Sequence, residues 1–430
     1  MNEAVSATQG EPTRWTCPHC VWLCDNLGVR VGAALELVEG DCPSARAGLA
    51  RFSASPSTAR PQVGGKVCDL ADAVAAAARI LAGSGQPLFG GLGTDVAGAR
   101  ALYRLACATG AICDAAHGEA LMRGMRALQD RGGFTTTLAE VRNRADLIVC
   151  VGGLPDGDAA GFFDRCGVGG AVVPRRHVVL LGGLADEVEV LAALGRRPGV
   201  TTESVLLQGD LFSTVGLLAA RVAGRLARDV PPALDALAGR LLAARYAVIV
   251  GQVDRLPAQG ELIMEAVGRI VSKLNGSTRA AAMWIGGGNG ARTVNEVFTW
   301  LSGLPLRSRA GPAGLEHEPH CFDTRRLLDE RAVDSLLWVS SFDAECALPP
   351  ITLPLVVMGH PDLAPSAARA GGVFIPVSTP GIGSTGHLFR TDGGAVLPLS
   401  ALYEDTLPML AQVLADLTHA VQARRAGSTP

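Results

Sequence analysis

The chain has 430 residues and a formal net charge of −3, from 38 basic and 41 acidic side chains. This length is enough for two or three domains around a large buried core, and the balanced charge, with no basic stripe and few aromatic residues, gives no support for nucleic-acid binding. Hydrophobic residues make up 48% of the chain, yet no run of about 18 uninterrupted apolar residues occurs, so we expect no transmembrane helix and no membrane partner.

The N-terminal sequence "MNEAVSATQGEPTRW" lacks the charged and then apolar pattern of a signal peptide, so we expect a cytoplasmic location. The chain contains 11 cysteines. In a reducing compartment cysteines are metal ligands or buried thiols more often than partners in a disulfide framework. The cysteines are therefore the first candidates for a metal site.

Four cysteines follow near the N-terminus with the spacing C-x2-C-x3-C-x17-C: Cys17, Cys20, Cys24 and Cys42. Thiolates ligate zinc and iron–sulfur clusters, and three cysteines within eight residues plus a distant fourth can enclose one cluster. Zinc ribbons more often carry two C-x2-C pairs. The spacing therefore favours a [4Fe–4S] cluster, and the alternatives are buried structural thiols or the remnant of an ancestral site.

From residue 61 onward, helical and strand patterns alternate. "DLADAVAAAARILAGSG" (69–85) predicts a helix capped by Asp69, "PLFGGLG" a strand that runs into a glycine turn, and "DVAGARALYRLACATG" (95–110) a second helix. Apolar strands recur in "DLIVCVGG", "RHVVLLGG", "RYAVIVGQ", "LLWVSSFD", "LPLVVMG" and "GGVFIPV". This βαβ rhythm predicts an α/β protein with parallel sheets and helices on both faces.

A glycine-rich loop, "GGGNGARTVNE" (286–296), lies between a predicted strand and a predicted helix. Backbone amides at such a position can hold a phosphate or an anionic cofactor. The candidate residues are Gly286, Gly287, Gly288 and Asn289. No lysine follows as in a P-loop, and the dinucleotide fingerprint is poor, so a sharp turn at the sheet edge is the alternative.

Five segments in this order resemble the B subunit of formylmethanofuran dehydrogenase, a member of the molybdopterin/tungstopterin oxidoreductase superfamily. They are "CPHCVWLCDNLGV", "HGEALMRGMRALQDRG", "TLAEVRNRADLIVCVGGLPD", "GGGNGARTVNEVFTWLSGLPL" and "PVSTPGIGSTGHLFRTDG". The resemblance implies a small N-terminal iron–sulfur-type module followed by two doubly wound α/β domains. It also implies a [4Fe–4S] cluster on the four cysteines and a pterin loop at the glycine-rich turn.

In the dehydrogenase family a cysteine directly before a His-Gly pair ligates the tungsten or molybdenum. Here Ala116 stands at that position, before His117 and Gly118. Alanine has no ligand atom, and Cys113 lies three residues away, roughly 10 Å along an extended chain. The resemblance therefore predicts no catalytic residue in this chain and no tungsten or molybdenum pterin.

With this departure from the dehydrogenase pattern, the chain resembles a sister family, the B subunit of the bacterial formyltransferase/hydrolase complex. The resemblance implies a structural, redox-inactive subunit in tetrahydromethanopterin- and methylofuran-linked one-carbon metabolism. Its implied partners are the A, C and D subunits of the same complex, of which A is amidohydrolase-like and D is the formyltransferase. The alternatives are an active dehydrogenase subunit with a metal pterin, and a stand-alone zinc or iron–sulfur module with no role in one-carbon chemistry.

The chain paths of the superfamily are interleaved, which sets the expected domain boundaries. We expect a cysteine-bearing module over 1–60 and a discontinuous α/β domain formed by 61–115 with 315–400. An α/β domain over 116–314 is inserted into it, and a C-terminal helix and tail occupy 401–430.

Overall fold

The structure is a computed structural model, and it describes residues 11–53, 57–116, 118–157, 161–225 and 230–427. The chain divides into two compact units. Unit 1 comprises Met1–Gly118, Gly287–Arg390 and Val396–Pro430, and unit 2 comprises Glu119–Gly286 and Thr391–Ala395. His117 lies outside the described residues.

Unit 1 begins with a small antiparallel sheet that carries the four cysteines. Its elements are β1 (Thr13–Trp15), β2 (Leu27–Val31), β3 (Leu35–Glu39) and helix α1 (Pro43–Leu49). The sheet has the order β1-β2-β3, and its inner face packs with Ile382 and Leu402 in one apolar cluster. The indole N–H of Trp15 donates to the carbonyl of Gly381 at 2.6 Å. The module is therefore anchored within unit 1 on a distant part of the chain.

The next part of unit 1 supplies two crossover helices. The elements are β4 (Gln62–Val63), β5 (Lys66–Val67), α2 (Leu70–Gly83), β6 (Pro87–Gly93), α3 (Val96–Thr109) and β7 (Ile112–Cys113). Helix α3 is capped by the Asp95 carboxylate, which accepts from the Gly98 N–H at 2.9 Å. Asp69 occupies the predicted cap position of α2 but makes no capping hydrogen bond. Its carboxylate pairs instead with Arg60 at 3.0 Å, so the predicted cap chemistry is wrong there.

The central part of the chain forms unit 2. Its elements are α4 (Gly118–Arg131), α5 (Leu138–Arg144), β8 (Leu147–Val151), α6 (Phe162–Arg165), β9 (Arg176–Leu181), α7 (Ala185–Gly195), β10 (Val200–Val205), α8 (Leu211–Val222), α9 (Pro232–Ala243), β11 (Tyr246–Gln252), α10 (Gly260–Leu274) and β12 (Arg279–Ile285). The parallel sheet has the order β10-β9-β8-β11-β12. Strand order reverses at β8, which makes this sheet doubly wound.

The remaining elements complete unit 1. They are α11 (Ala291–Ser302), β13 (Ser308–Gly311), β14 (Gly314–His317), α12 (Thr324–Asp329), β15 (Ser335–Ser340), β16 (Leu355–Gly359), α13 (Ala364–Ala367), β17 (Val373–Pro376), β18 (Gly386–Phe389), β19 (Val396–Leu399) and α14 (Leu410–Ala426). Strands β18 and β19 form a separate antiparallel pair.

The large sheet of unit 1 has the order β14-β13-β7-β6-β15-β16-β17-β4-β5. Its five central strands are parallel and follow a 2-1-3-4-5 order, so the sheet reverses direction between β6 and β15. Antiparallel hairpins flank both edges. The predicted α/β class with parallel sheets is confirmed, whereas these antiparallel edges were not anticipated.

The observed units have their own boundaries. The first segment of unit 2 ends at Gly286, directly after β12, and α11 packs on α3 and β6 of unit 1. Residues 287–314 therefore group with unit 1 rather than with unit 2. The cysteine module and α14 also belong to unit 1. Our four-part domain division stays a prediction beside these two units. None of the helices in the described ranges is both long and apolar enough to cross a bilayer.

Candidate functional site

The four N-terminal cysteines lie together in unit 1. Cys17 and Cys20 are buried, whereas Cys24 and Cys42 are half-buried. The backbone N–H of Cys17 donates to the carbonyl of Cys24 at 2.9 Å, which closes the loop between them. Cys42 reaches the same apolar cluster from the N-terminal end of α1. The structure therefore brings together residues that are well separated in the sequence.

The surroundings of these thiols favour their neutral form. Burial raises the pKa of Cys17 to about 12, and the nearby Cys42 and Cys24 add to the rise. A hydrogen bond to the Cys24 thiol and then burial raise the pKa of Cys20. A bound cation would offset both effects, because metal ligands must be thiolates.

The donor set agrees with an iron–sulfur cluster in type and number. Across the described ranges, however, no three His, Cys, Asp or Glu side chains are placed so that they could hold a metal ion. The four thiols are thus neighbours without being at ligand positions. The cluster stays a prediction.

Ala116 follows β7 in a turn of unit 1. Its N–H donates to the carbonyl of Gly91 at 3.1 Å, and the N–H of Asp114 donates to that of Phe89 at 3.0 Å. The methyl group of Ala116 packs against an apolar cluster that includes Trp338. Position 116, where the resemblance to the dehydrogenase family predicts the lost metal ligand, is therefore an apolar contact.

A buried ion pair that was not among the predicted features fixes this segment. The Arg307 guanidinium, 1% exposed, donates to Asp114 Oδ1 at 3.2 Å and to Asp323 Oδ2 at 2.5 Å. The other Asp114 oxygen accepts from the N–H and hydroxyl of Thr324, both at 2.9 Å. Burial raises the pKa of Asp114, and the positive charge of Arg307 opposes that rise. Keeping both charges inside the protein thus depends on this complete set of partners.

The glycine-rich loop approaches the point where the sheet of unit 1 reverses direction. The amide of Asn289 donates to Ser340 Oγ, at the end of β15, at 3.1 Å. Gly290 has φ +74°, and a Cβ there would lie 2.5 Å from the carbonyl oxygen of Thr94, which follows β6. Ligands in open α/β sheets bind at such reversal points. Here the chain's own loop lies against the two strand ends.

The first backbone amides of α11 form hydrogen bonds within the glycine-rich loop itself. The N–H groups of Ala291 and Arg292 donate to the carbonyls of Gly288 and Gly287, at 3.1 and 3.2 Å. A phosphate cradle needs such amides to face the ligand. Gly286 belongs to unit 2, where Thr391 Oγ1 accepts from its N–H and donates to its carbonyl, at 3.2 and 3.0 Å. These bonds favour a tight turn over a binding loop.

A second buried polar side chain, that of His360, was not among the predicted site residues. His360 follows β16 directly, is 2% exposed, and lies against the Phe52 ring with centroids 5.0 Å apart. The available signal was a histidine immediately after the buried run "LPLVVMG", at the carboxyl end of a parallel strand.

The fold and this site define an α/β protein with a cysteine-bearing N-terminal module, whose sheet-reversal crevice is closed by its own glycine loop. No family model matches the chain. The B subunit of the formyltransferase/hydrolase complex from Methylorubrum extorquens is 31% identical over 341 residues, which cover 78% of this chain and 89% of that protein.

A solved structure gives the same relationship. The X-ray structure of the formyltransferase/hydrolase complex from Methylorubrum extorquens, in complex with methylofuran, matches with a TM-score of 0.73 and 29% sequence identity. The match covers 85% of this chain and 99% of the other. The chain belongs to the family formed by the B subunit of the formyltransferase/hydrolase complex.

Proposed function

We propose that this chain is a structural, redox-inactive subunit of a formyltransferase/hydrolase complex in methylofuran-linked one-carbon metabolism. Its partners there would be the A, C and D subunits, and the complex would be cytoplasmic. The observation that carries the non-catalytic role is Ala116, which has no ligand atom and packs into an apolar cluster. Family membership supports the assembly.

The crevice of unit 1 supports the absence of a pterin cofactor. Asn289 and Gly290 lie against the ends of β15 and β6, and the first amides of α11 are bonded within the loop. A pterin phosphate would have to displace these contacts. Residues Gly286–Asn289 are therefore proposed as a vestige of a pterin loop on a molybdopterin-oxidoreductase-like fold, and the active-dehydrogenase alternative gains no support from them.

Metal analysis of the purified, anaerobically handled complex tests the redox-inactive role. We expect formate production without tungsten or molybdenum. Either metal at about one atom per copy of this chain would overturn the proposal. Affinity purification through a tag on this chain tests the assembly, because the A, C and D subunits should be recovered in fixed ratio. Recovery of this chain alone would contradict the assembly and leave the metal result standing.

We further propose that Cys17, Cys20, Cys24 and Cys42 ligate a [4Fe–4S] cluster with a structural role. The proximity of the four thiols supports it, although ligand binding would have to draw them closer. When bound, the cluster would tie the loop before β2 to the start of α1. Iron and acid-labile sulfide, each at about four per chain, are the expected result, and their absence from anaerobic protein would overturn this assignment.

A further inference from the structure

The carboxyl edge of the unit 2 sheet exposes apolar side chains beside its two outer strands, β9 and β10. Leu184, in the turn after β9, is 62% exposed, and Leu206, directly after β10, is 77% exposed. Val188, one turn after Leu184 in α7, is 47% exposed, and Phe212, at the start of α8, is 42% exposed. Contiguous apolar surface that is rimmed by polar residues marks an interaction site, so this edge is a candidate interface.

The segments that carry these side chains lie side by side. Strands β9 and β10 are adjacent and parallel, about 4.8 Å apart, so the chain leaves both of them at the same edge. The N–H of Gly182 donates to the carbonyl of Val205 at 3.0 Å, and a Cβ on Gly182 would collide with the Leu207 side chain. Helix α7 also packs on β10. Leu184 and Leu206 therefore belong to one surface of unit 2.

The charged side chains along this edge are all of one sign. The segments 152–157, 182–190 and 206–213 follow β8, β9 and β10, and they contain five carboxylates but neither lysine nor arginine. The carboxylates are those of Asp156, Asp186, Glu187, Glu189 and Asp210. Charges across an interface are arranged to be complementary, because like charges repel. The edge therefore favours a positively charged partner.

An arginine of unit 2 neutralises only part of this charge. Arg255, which follows β11, pairs with Glu187 at 2.9 Å and with Asp156 at 2.8 Å. It also donates to the carbonyl of Leu154 at 2.7 Å, so it ties the segment after β8 to the start of α7. Three carboxylates remain exposed and form no ion pair within the described residues, namely those of Asp186, Glu189 and Asp210. These three are available to cations of another molecule.

We propose that this edge of unit 2 docks a positively charged, partly apolar segment of another subunit of the complex. The inference rests on the proposed assembly and names the chemistry of one contact within it. Apolar side chains of the segment cover Leu184, Val188 and Leu206, while its lysines or arginines pair with the exposed carboxylates. A neutral apolar segment would bury carboxylates without partners. A second copy of this chain, seated edge to edge, would bring like charges together.

Affinity purification of the complex through a tag on this chain tests the apolar contact. Leu184→Gln combined with Leu206→Gln should lower the recovery of at least one of the A, C and D subunits by about tenfold or more. Val172→Gln is the matched control, because Val172 is 61% exposed but precedes β9, at the opposite edge of the sheet. Undiminished recovery of all three subunits, or an equal loss in the control, would overturn this inference alone. Failure of the wild-type chain to recover any of them would contradict the assembly as well.

A charge reversal tests the sign of the partner. Glu189→Lys should lower the recovery of the same subunit by about fivefold, whereas Asp130→Lys, on the exposed surface of α4, should leave it unchanged. Loss in the glutamine variant without loss in Glu189→Lys would mean that a neutral segment docks there, and it would overturn the positively charged one.

Two further measurements accompany these purifications. Because the substituted side chains are exposed, the recovered variants should melt within about 2 °C of the wild type, which separates lost docking from lost folding. Light scattering gives the mass of each complex. Fewer copies of this chain per complex, with the A, C and D subunits still in their wild-type ratio, would show that a second copy covers the edge and would also overturn the proposal.

Discussion

Two regions of unit 1, the N-terminal cysteine module and the segment around Ala116, differ in the side chains that they bring together. In the N-terminal module all four cysteines are present and lie together. Around Ala116 the methyl group packs against apolar side chains, and Asn289 and Gly290 lie against the ends of β15 and β6. One region gathers four thiols, and the other is an apolar contact.

Under the proposed function, the two regions differ in what a substitution can change. Removing one ligand and filling the space is irreversible in a single step, since the filled space must then be reopened. Retained thiols, by contrast, can still act on stability, because structural metals stabilise small modules that have little core of their own. Each half of the contrast can be challenged by substitution.

The largest effect is expected from replacing Cys17, Cys20, Cys24 and Cys42 together by alanine. If a cluster holds the module together, the melting temperature of the complex should fall by about 10 °C or more, with iron lost and formate production per intact complex unchanged. Differential scanning calorimetry and iron analysis measure this. Replacement of the exposed Cys107 and Cys321 by alanine is the control, and an equal effect there would contradict the role of the module.

Asp114→Ala should destabilise the Ala116 region by about 3–5 kcal/mol, because it leaves the buried Arg307 guanidinium without its partner. Denaturant unfolding of the purified chain or complex measures the change. Asp329→Ala provides the same substitution in the exposed pair with Arg325, where about 0.5 kcal/mol or less is expected. Similar losses in the two variants would mean that the buried pair does not hold this segment.

Gly290→Ala tests the filled crevice. The substitution combines a left-handed backbone with a Cβ 2.5 Å from the Thr94 carbonyl, so we expect a loss of about 3 kcal/mol. Gly303→Ala, at φ +78° with no atom within 4 Å of the added Cβ, separates the two causes and should cost about 1 kcal/mol. Equal costs would show that the loop does not pack closely on β6.

His360 should make stability depend on pH. Burial lowers the pKa of His360 in the folded protein. In the unfolded chain the same side chain has the ordinary histidine pKa of about 6.5. The unfolded state then binds more protons below about pH 6.5, so the free energy of unfolding falls as the pH is lowered. His360→Asn should flatten this slope in unfolding titrations between about pH 7 and pH 5, and an unchanged slope would contradict a neutral buried ring.

The smallest effect is expected from Ala116→Cys. Cysteine is a small apolar side chain, so stability should change by about 1 kcal/mol or less. Tungsten and molybdenum should still be absent when the variant complex is analysed, because the surrounding space is packed and the glycine loop occupies the crevice. Recovery of either metal would show that one cysteine at position 116 is sufficient for metal binding.

Many of the helices and strands can be predicted from the sequence, because each depends mainly on residues that are neighbours in the chain. The strand predicted at "PLFGGLG" is β6, Pro87–Gly93, and "DVAGARALYRLACATG" contains α3 with Asp95 as its cap. Alternation of apolar strands and amphipathic helices is a property of neighbouring residues. The edge hairpin β13–β14 escaped prediction, because "LRSRAGPAGLEH" lacks an apolar run and its pairing with β7 is a tertiary contact.

Residue types and their spacing are fixed by the covalent chain, so the sequence alone is sufficient for the α/β class, the set of four cysteines and the presence of alanine at position 116. Only the tertiary structure shows that Arg307 pairs with Asp114, 193 positions away. It also shows that Asn289 donates to Ser340 and that His360 and Asp405 line one cavity. The physical reason is that burial and partnership depend on which distant segments pack together. The whole chain specifies those contacts collectively, and no short motif within it records them.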